Sequence, residues 1–563
     1  MGGQWTWTGN GMDDKWSTTN NWIPATGYPT NQPTAAQDLV FSGSARLTPD
    51  QDLADPYYFH SMVFSNDVGA FVLGGTTNVT GTNGWRSYQL ASSAPVVTVL
   101  GANNISIKGA LITRTTGDSN SITVPANVVL QVPWIAGGSG RTVVKNGAGL
   151  LRVYEDADGQ CYPLVHATVG PLWQVNDGTV EIGTRTNRYV YGNGNGTNWV
   201  LDSSQNKSFY GMTVGDGVGA ATSAVMRAIV TGGFTSINNY NGATVNSDGW
   251  WDFQYNGIDF NSGALNINGG RFSFGRHPVN GAPSYSCYFK NNSKIVMAGG
   301  TFEEYTNTTS GILWYPGAEI IATNPAASTA VVDGRFTVST GVNPPYLFTI
   351  YDAPGLSVEM RVKQVIGGGA DLVKREAGTL QLEGNNTYTG TTTNQAGTLL
   401  INGTTSGQGD YAILSGATLG GTGTVGQAVG KSVTVNGGAI APGTTNVGVL
   451  TIQRDVTFNA SSGLKIDVAS GGAVAGVDFD QLKVLGNVTG LANVGLTVTV
   501  LGSPKFNGTP MTILDAGNSL AGAVLNSTTF VNGGKYTLVV ETGTGDLVIR
   551  LKPPPDGTVI LFK

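Results

Sequence analysis

Charge is what this sequence has least of. Lys, Arg, Asp and Glu together supply 12% of its 563 residues, against the ~25% of an ordinary soluble domain. The net charge of −6 excludes a basic stripe for nucleic acid and a polybasic membrane patch. No apolar run reaches the ~18 residues of a membrane span, and residues 1–22 lack the basic start and apolar core of a signal peptide. There are three histidines, His60, His166 and His277, too scattered for a zinc spacing, so no metal and no cofactor is expected. The two cysteines, Cys161 and Cys287, leave two readings open, one disulfide or two buried thiols. Ala, Leu, Glu and Lys do not dominate, which argues against a helical protein.

What is present in excess is glycine, 83 residues, roughly twice the usual ~7% share. Apolar residues are a normal 40%, so the chain is not disordered, and no Gly-X-Y period makes it collagen. Thr, Val and Ile in short runs between Gly and Asn predict strands joined by tight turns. All 11 Trp lie between Trp5 and Trp314, and that shift in composition predicts a boundary near 340–370. Trp5, Trp7, Trp16 and Trp22 crowd the first 22 residues and are expected to cover one end of a β structure.

A repeat is legible in the second half. Gly378-Thr379-Leu380, Gly397-Thr398-Leu399 and Gly416-Ala417-Thr418-Leu419 recur at a spacing of 19, and Gly437-Gly438-Ala439-Ile440 follows more loosely. A period near 20 without helix is that of a β-solenoid coil, which must stack on its neighbours to pair its edges. Fainter units are Gly270-Arg271-Phe272, Gly300-Thr301-Phe302 and Gly334-Arg335-Phe336, with two more at Val144–Leu151 and Asn176–Ile182. At the strand spacing of about 4.8 Å per coil, such a chain would form a rod of roughly 100 Å or more.

The stretch Leu372-Val373-Lys374 … Gly384-Asn385-Asn386-Thr387-Tyr388-Thr389-Gly390 … Ala396-Gly397-Thr398-Leu399 resembles the autotransporter-associated β-strand repeat. Ala441-Pro442-Gly443 with Gly448-Val449-Leu450-Thr451-Ile452, and then Phe479–Leu482 and Met511–Leu514, are similar to later segments of the same family. The resemblance covers about residues 370–552. It implies a right-handed parallel β-helix, exported and displayed outside the cell, usually without catalysis. Relatives continue into a C-terminal barrel or a sorting helix with a basic tail. This sequence has neither, so self-translocation and anchoring are not expected of it.

The last residues, Pro553-Pro554-Pro555 and then Thr558, Val559, Ile560, Leu561 and Phe562, join a stiff spacer to a β-prone segment. Two readings stand: a strand folded back as the last cap, or one donated to a neighbouring subunit's open edge. In the second, those five residues carry assembly, and head-to-tail contacts build an open filament.

Carboxylate pairs suited to glycoside hydrolysis are Asp13/Asp14, Asp156/Asp158, Glu303/Glu304 and Asp478/Asp480. Adjacent residues of a strand face opposite ways, which disfavours the first and third. Glu155-Asp156-Ala157-Asp158-Gly159 has a calcium-loop look but lacks further acidic ligands, so a solvated turn is expected. Gly421-Thr422-Gly423-Thr424-Val425-Gly426 matches GxGxxG without a following helix, and turns of the solenoid are expected there. Tyr240, Trp250, Trp251 and Tyr255 are the candidate surface for a sugar or partner, with core packing as the alternative.

The expectation is therefore an all-β, right-handed parallel β-helix (a β-solenoid) with an N-terminal cap and a C-terminal β tail. Its parts are a Trp-rich cap with first coils at 1–75, looped coils at 76–365, regular coils at 366–470, a closing β region at 471–552 and a Pro-linked strand at 553–563. The expected function is that of a secreted, non-catalytic bacterial structural protein, the extracellular or cell-surface β-helical subunit of a filament or surface layer, and not an enzyme. Its expected partner is itself, through head-to-tail contacts or strand exchange, with surface glycans as further partners and neither nucleic acid nor a membrane span. The alternatives are an adhesin-like passenger binding a glycan or host protein, and a β-helix polysaccharide-degrading enzyme.

Overall fold

The computed structural model describes residues 3–30, 37–53, 57–74, 86–90, 96–113, 119–132, 134–136, 141–153, 172–184, 191–192, 199–200, 207–209, 211–230, 237–239, 242–254, 258–260, 263–275, 287–305, 311–323, 328–338, 344–407, 409–426 and 430–554. Among them the regular elements are strands, apart from two short 3₁₀ turns at Thr19–Asn21 and Leu491–Asn493. No helix is long and apolar enough to cross a membrane. The fold is the parallel β-helix that the sequence implies, and the chain divides into two compact units. The first is Met1–Ile295 with Gly300–Gly311, the second Val296–Gly299 with Ile312–Lys563.

In the first unit one face runs through Gln4–Trp7, Gln37–Phe41, Tyr57–Phe64, Val96–Val99, Ser119–Thr123, Thr142–Asn146, Leu172–Val175 and Gly211–Val214, each parallel to the next. A second face stacks Val129–Val132, Leu150–Val153, Gly178–Thr184, Ala224–Val230, Gly249–Gln254, Arg271–Phe274 and Thr301–Glu304. A third takes Lys207–Phe209, Ile237–Asn239, Ile258–Phe260 and Cys287–Phe289. Alternation sends every second side chain inward, so Trp251, Phe253, Phe260, Phe272 and Phe302 fill the interior. Stacked or edge-on rings tie successive coils together, as Phe272 does with Phe302 at 5.1 Å and Trp251 with Phe272 at 4.9 Å.

The N-terminal tryptophans close this unit. Trp22–Ile23 turns back antiparallel to Gln4–Trp7, and Trp7, Trp16 and Trp22 are fully buried in an edge-to-face cluster. Each such ring contributes about 4 kcal/mol through the area it removes from water.

The second unit holds the regular coils. Leu380, Leu399, Leu419, Ile440, Leu464 and Leu496 stand in one inward column, paired residue to residue and fully buried. The register differs from the glycine spacing in one place, because Gly397 lies opposite Ala417 and not Gly416. Gly416 belongs to the turn before, with φ +80°. The glycine marks the corner, and the leucine sets the register. The Gly334 unit is a second correction. Phe272 and Phe302 pair on the second face, whereas Phe336 pairs with Ile312 on the third. The same Gly-x-Phe wording serves a different corner.

Asn side chains stack along the corners as expected of turn positions. The Asn176 amide donates to Asn146 Oδ1 at 2.9 Å, and that of Asn459 to Asn436 Oδ1 at 2.5 Å. Gly421–Gly426 runs as corner and strand into Thr424–Val425, and the next element among the described residues is the strand Ser432–Val435, so it reads as a piece of coil, not a phosphate loop. At the C-terminal end the parallel order stops. Pro510–Ala516 pairs antiparallel with Asp546–Lys552, and that strand pairs antiparallel with Thr537–Thr542.

Candidate functional site

The candidate aromatic surface divides in two because neighbouring strand residues face opposite ways. Trp251 points inward and is fully buried among Phe253, Phe260 and Phe272. Its assignment to a partner surface is therefore corrected: no ligand reaches a ring enclosed in the core. Trp250 points outward. Tyr240 and Tyr255 lie outside the described residues.

Around Trp250 the outer side of the second face carries an ordered polar lattice. The strand registers place Arg152, Glu181, Arg227, Asp252, Ser273 and Glu303 in one column. Charges of opposite sign alternate along it from Arg152 to Asp252, the arrangement that cross-strand pairing favours. Arg152 Nε donates to Glu181 Oε1 at 3.2 Å, and Arg227 Nε to Asp252 Oδ2 at 2.7 Å. Glu303 Oε1 accepts from Arg271 Nε at 2.8 Å and from Ser273 Oγ at 2.6 Å. The Trp250 indole N–H donates to Ser273 Oγ at 2.9 Å. Its ring lies 4.8 Å from the Arg271 guanidinium carbon and 5.7 Å from that of Arg227, contacts worth ~0.5–2 kcal/mol each. Tyr305 completes the group by donating to Asp252 Oδ1 at 2.5 Å. Burial and the Asp252 charge push its phenol well above the ordinary value. The lattice binds coil to coil and answers each charge with its opposite.

The carboxylate pairs sort differently. Asp13 accepts from Thr18 and Lys15, and Asp14 from Arg46 and Thr48. Glu303 is held in the lattice just described. Asp478 accepts from Ser470 Oγ and Val474 N, which lower its pKa. Asp480 is buried and accepts from Gly448 N at 2.7 Å and Asp467 N at 2.9 Å. Burial outweighs those bonds and, helped by the nearby Asp467 charge, pushes Asp480 up to about 7. Asp156 and Asp158 lie outside the described residues. Among the described residues no group of three or more His, Cys, Asp and Glu could hold a metal ion.

One histidine is oriented in a way the sequence did not signal. A register shift in Tyr57–Phe64 places His60 and Ser61 together against Asp38. Asp38 Oδ1 lies 2.7 Å from His60 Nδ1 and accepts the Ser61 hydroxyl at 2.5 Å. A carboxylate thus orients an imidazole, as in hydrolytic relays, but this serine bonds to the carboxylate and not to the ring. Cys287 is a buried free thiol, pushed far up by burial and by the charges of Asp259 and Glu304. Cys161 and His166 lie outside the described residues.

Residues 372–401 match the family model of the Passenger-associated-transport-repeat. The repeat is of the autotransporter passenger type. The "Extracellular serine protease" of Serratia marcescens is 36% identical over 141 residues, which are 23% of this chain and 13% of that relative. This chain thus spans a small part of that protein's length. A solved structure, the Haemophilus influenzae Hap adhesin, aligns over 95% of this chain and 65% of its own at 12% identity. Its TM-score is 0.21, a likeness too slight to bear on function. The repeat and the extracellular relative place the chain outside the bacterial cell or on its surface. The protease match also overturns the expectation that the chain is not an enzyme. Catalytic activity is thereby left open for this chain.

Proposed function

We propose that this chain is the extracellular β-helical part of a bacterial surface protein, and that its copies join through the C-terminal end of the second unit. One observation carries the reading. Ser527–Val531 pairs on one side with Val494–Val500, and among the described residues no strand pairs with its other side. Ser527, Thr528 and Thr529 are exposed. Edge strands are ordinarily guarded by Lys, Pro or an inward charge, and Ser-Thr-Thr-Phe-Val has none. Thr537–Thr542, in contrast, carries Glu541, which pairs with Arg550. The strand suited to such an edge is the Thr558–Phe562 segment of a second copy, an extension by β-augmentation. Those residues lie outside the described ones, so the donor role rests on sequence.

Electron microscopy of the secreted chain at rising concentration tests this. Filaments in the full chain and their loss on deleting 553–563 are the expected result. Filaments that persist in the truncated chain would remove the donor strand. Dispersed particles that capture a glycan would favour the adhesin reading.

A further inference from the structure

Two lysines, one in each unit, are wholly buried, although lysine is among the residues least often found inside. Lys145 ends the run Val143-Val144-Lys145 and Lys374 the run Leu372-Val373-Lys374. Both project inward at a coil corner. Lys145 Nζ donates to the carbonyls of Gly147 at 2.5 Å, Asp177 at 3.0 Å and Asn146 at 3.0 Å. Lys374 Nζ donates to the carbonyls of Glu376 at 2.5 Å and Ala396 at 2.7 Å.

The two sites share two acceptors and one turn geometry. In each, the residue two places after the lysine has a positive φ, +75° at Gly147 and +64° at Glu376, and that residue's carbonyl accepts the ammonium. In each, a second acceptor comes from the following coil, just before a glycine of positive φ, Gly178 at +70° or Gly397 at +63°. That glycine lets the next coil press onto the turn: a Cβ would lie 2.5 Å from Gly149 O at the first and 2.5 Å from Gly378 O at the second, both four residues after the lysine. Even the adjoining ladder bond is repeated, Thr179 N to Gly149 O at 3.1 Å and Thr398 N to Gly378 O at 3.2 Å.

Backbone carbonyls turned out of a ladder and into the interior need donors. At these two corners the ammonium supplies one to both coils at once. The acceptors are complete only when the second coil is in place. We propose that Lys145 and Lys374 are two copies of one inter-coil staple, each ammonium filling a carbonyl cage shared by two successive coils, so that a small primary ammonium ion takes its place once the side chain is removed. The cage selects its guest by N–H donors aimed at carbonyls, not by charge alone. Burial lowers both ammonium groups to about 8, opposed by Asp177 at the first and by Glu359 and Glu376 at the second. The second site lies within residues 372–401, and the first extends the same device to a part of the chain that the repeat model does not match.

Shortening the lysine and restoring the guest tests the cage. In Lys374→Ala, hydrogen exchange at the Thr398 amide should rise about ten-fold or more, the factor one charged hydrogen bond supplies. Methylammonium should reverse the rise, and tetramethylammonium, which has no N–H, should not. Lys145→Ala read at the Thr179 amide repeats the test in the other unit, should one variant fail to fold. Lys374→Met keeps the volume without the donors and should behave as Lys374→Ala without guest. Exchange unchanged in the Ala variants, no rescue by methylammonium, or equal rescue by tetramethylammonium would each overturn the proposal.

Discussion

Replacing Arg454 by Met should loosen several coils at once. Arg454 is almost entirely buried, and it reaches back to coils laid down long before it in sequence. Its guanidinium donates to Gly409 O at 2.6 Å, to Gly426 O from Nε at 2.9 Å and again from the terminal nitrogen, and to Gly407 O at 3.2 Å. It also lies 5.5 Å from the centre of the Tyr411 ring, whose hydroxyl meets that of Tyr388 at 3.3 Å. Met fills much of the same space, so the loss is of donors more than of packing. Three buried carbonyls left short of a partner cost about 1 kcal/mol each at the low end, and the cation–π contact adds ~1 kcal/mol. The expected destabilisation is about 4 kcal/mol, a factor of roughly a thousand in the local opening equilibrium. Hydrogen exchange at the Ser406 and Gly426 amides, which bond to Asn386 O and Thr405 O, reads it directly. Arg454→Lys should recover only part, because one ammonium cannot span the same forked set of acceptors. A rise of less than about ten-fold in the Met variant, near 1.4 kcal/mol, would refute the view that this guanidinium joins the coils.

Other outcomes follow from the same geometry. Asp480 holds its proton to about pH 7 when folded, against 3.8 for the free group. The folded chain therefore binds more protons between those values, and stability from this group is full below pH 3.8 and lost as pH rises through 7. Asp480→Asn should remove that slope in urea titrations run from pH 4 to 8, and an unchanged slope would count against it. A Cβ on Gly409 would fall 1.7 Å from Gly390 O, so Gly409→Ala should cost ~1–3 kcal/mol, seen as a lower urea midpoint. Trp251→Ala should cost ~3–5 kcal/mol, whereas Trp250→Ala, which forfeits its contacts to two arginines, should cost ~1–2 kcal/mol. Equal losses in the same urea titration would contradict their opposite orientations.

The coil was legible because Leu380, Leu399 and Leu419 repeat a choice that stacking forces on every turn of a β-helix. The corners were less so. Gly416 and Gly334 sit in wording shared with true equivalents, yet a glycine serves any corner, and only pairing with the next coil says which. Trp250 and Trp251 were grouped as one surface although period-two alternation already separates them. The polar devices left little trace in sequence, since Arg454 meets carbonyls 28 and 45 residues before it. Lys145 and Lys374 stood in motifs that were recognised, but residue type argues for exposure, and burial is decided by the turn two residues on. The Asp38–His60 contact depends on a register shift that no local pattern announces.

The reading of this chain as a self-associating surface β-helix turns on the open edge at Ser527–Val531. Placing a lysine there, Thr529→Lys, guards the edge without touching the core, and electron microscopy of the secreted chain before and after gives the most direct comparison. The account predicts end-to-end filaments for the natural sequence and dispersed single particles for the variant. Dispersed particles for both, or filaments unchanged by the lysine, would contradict it.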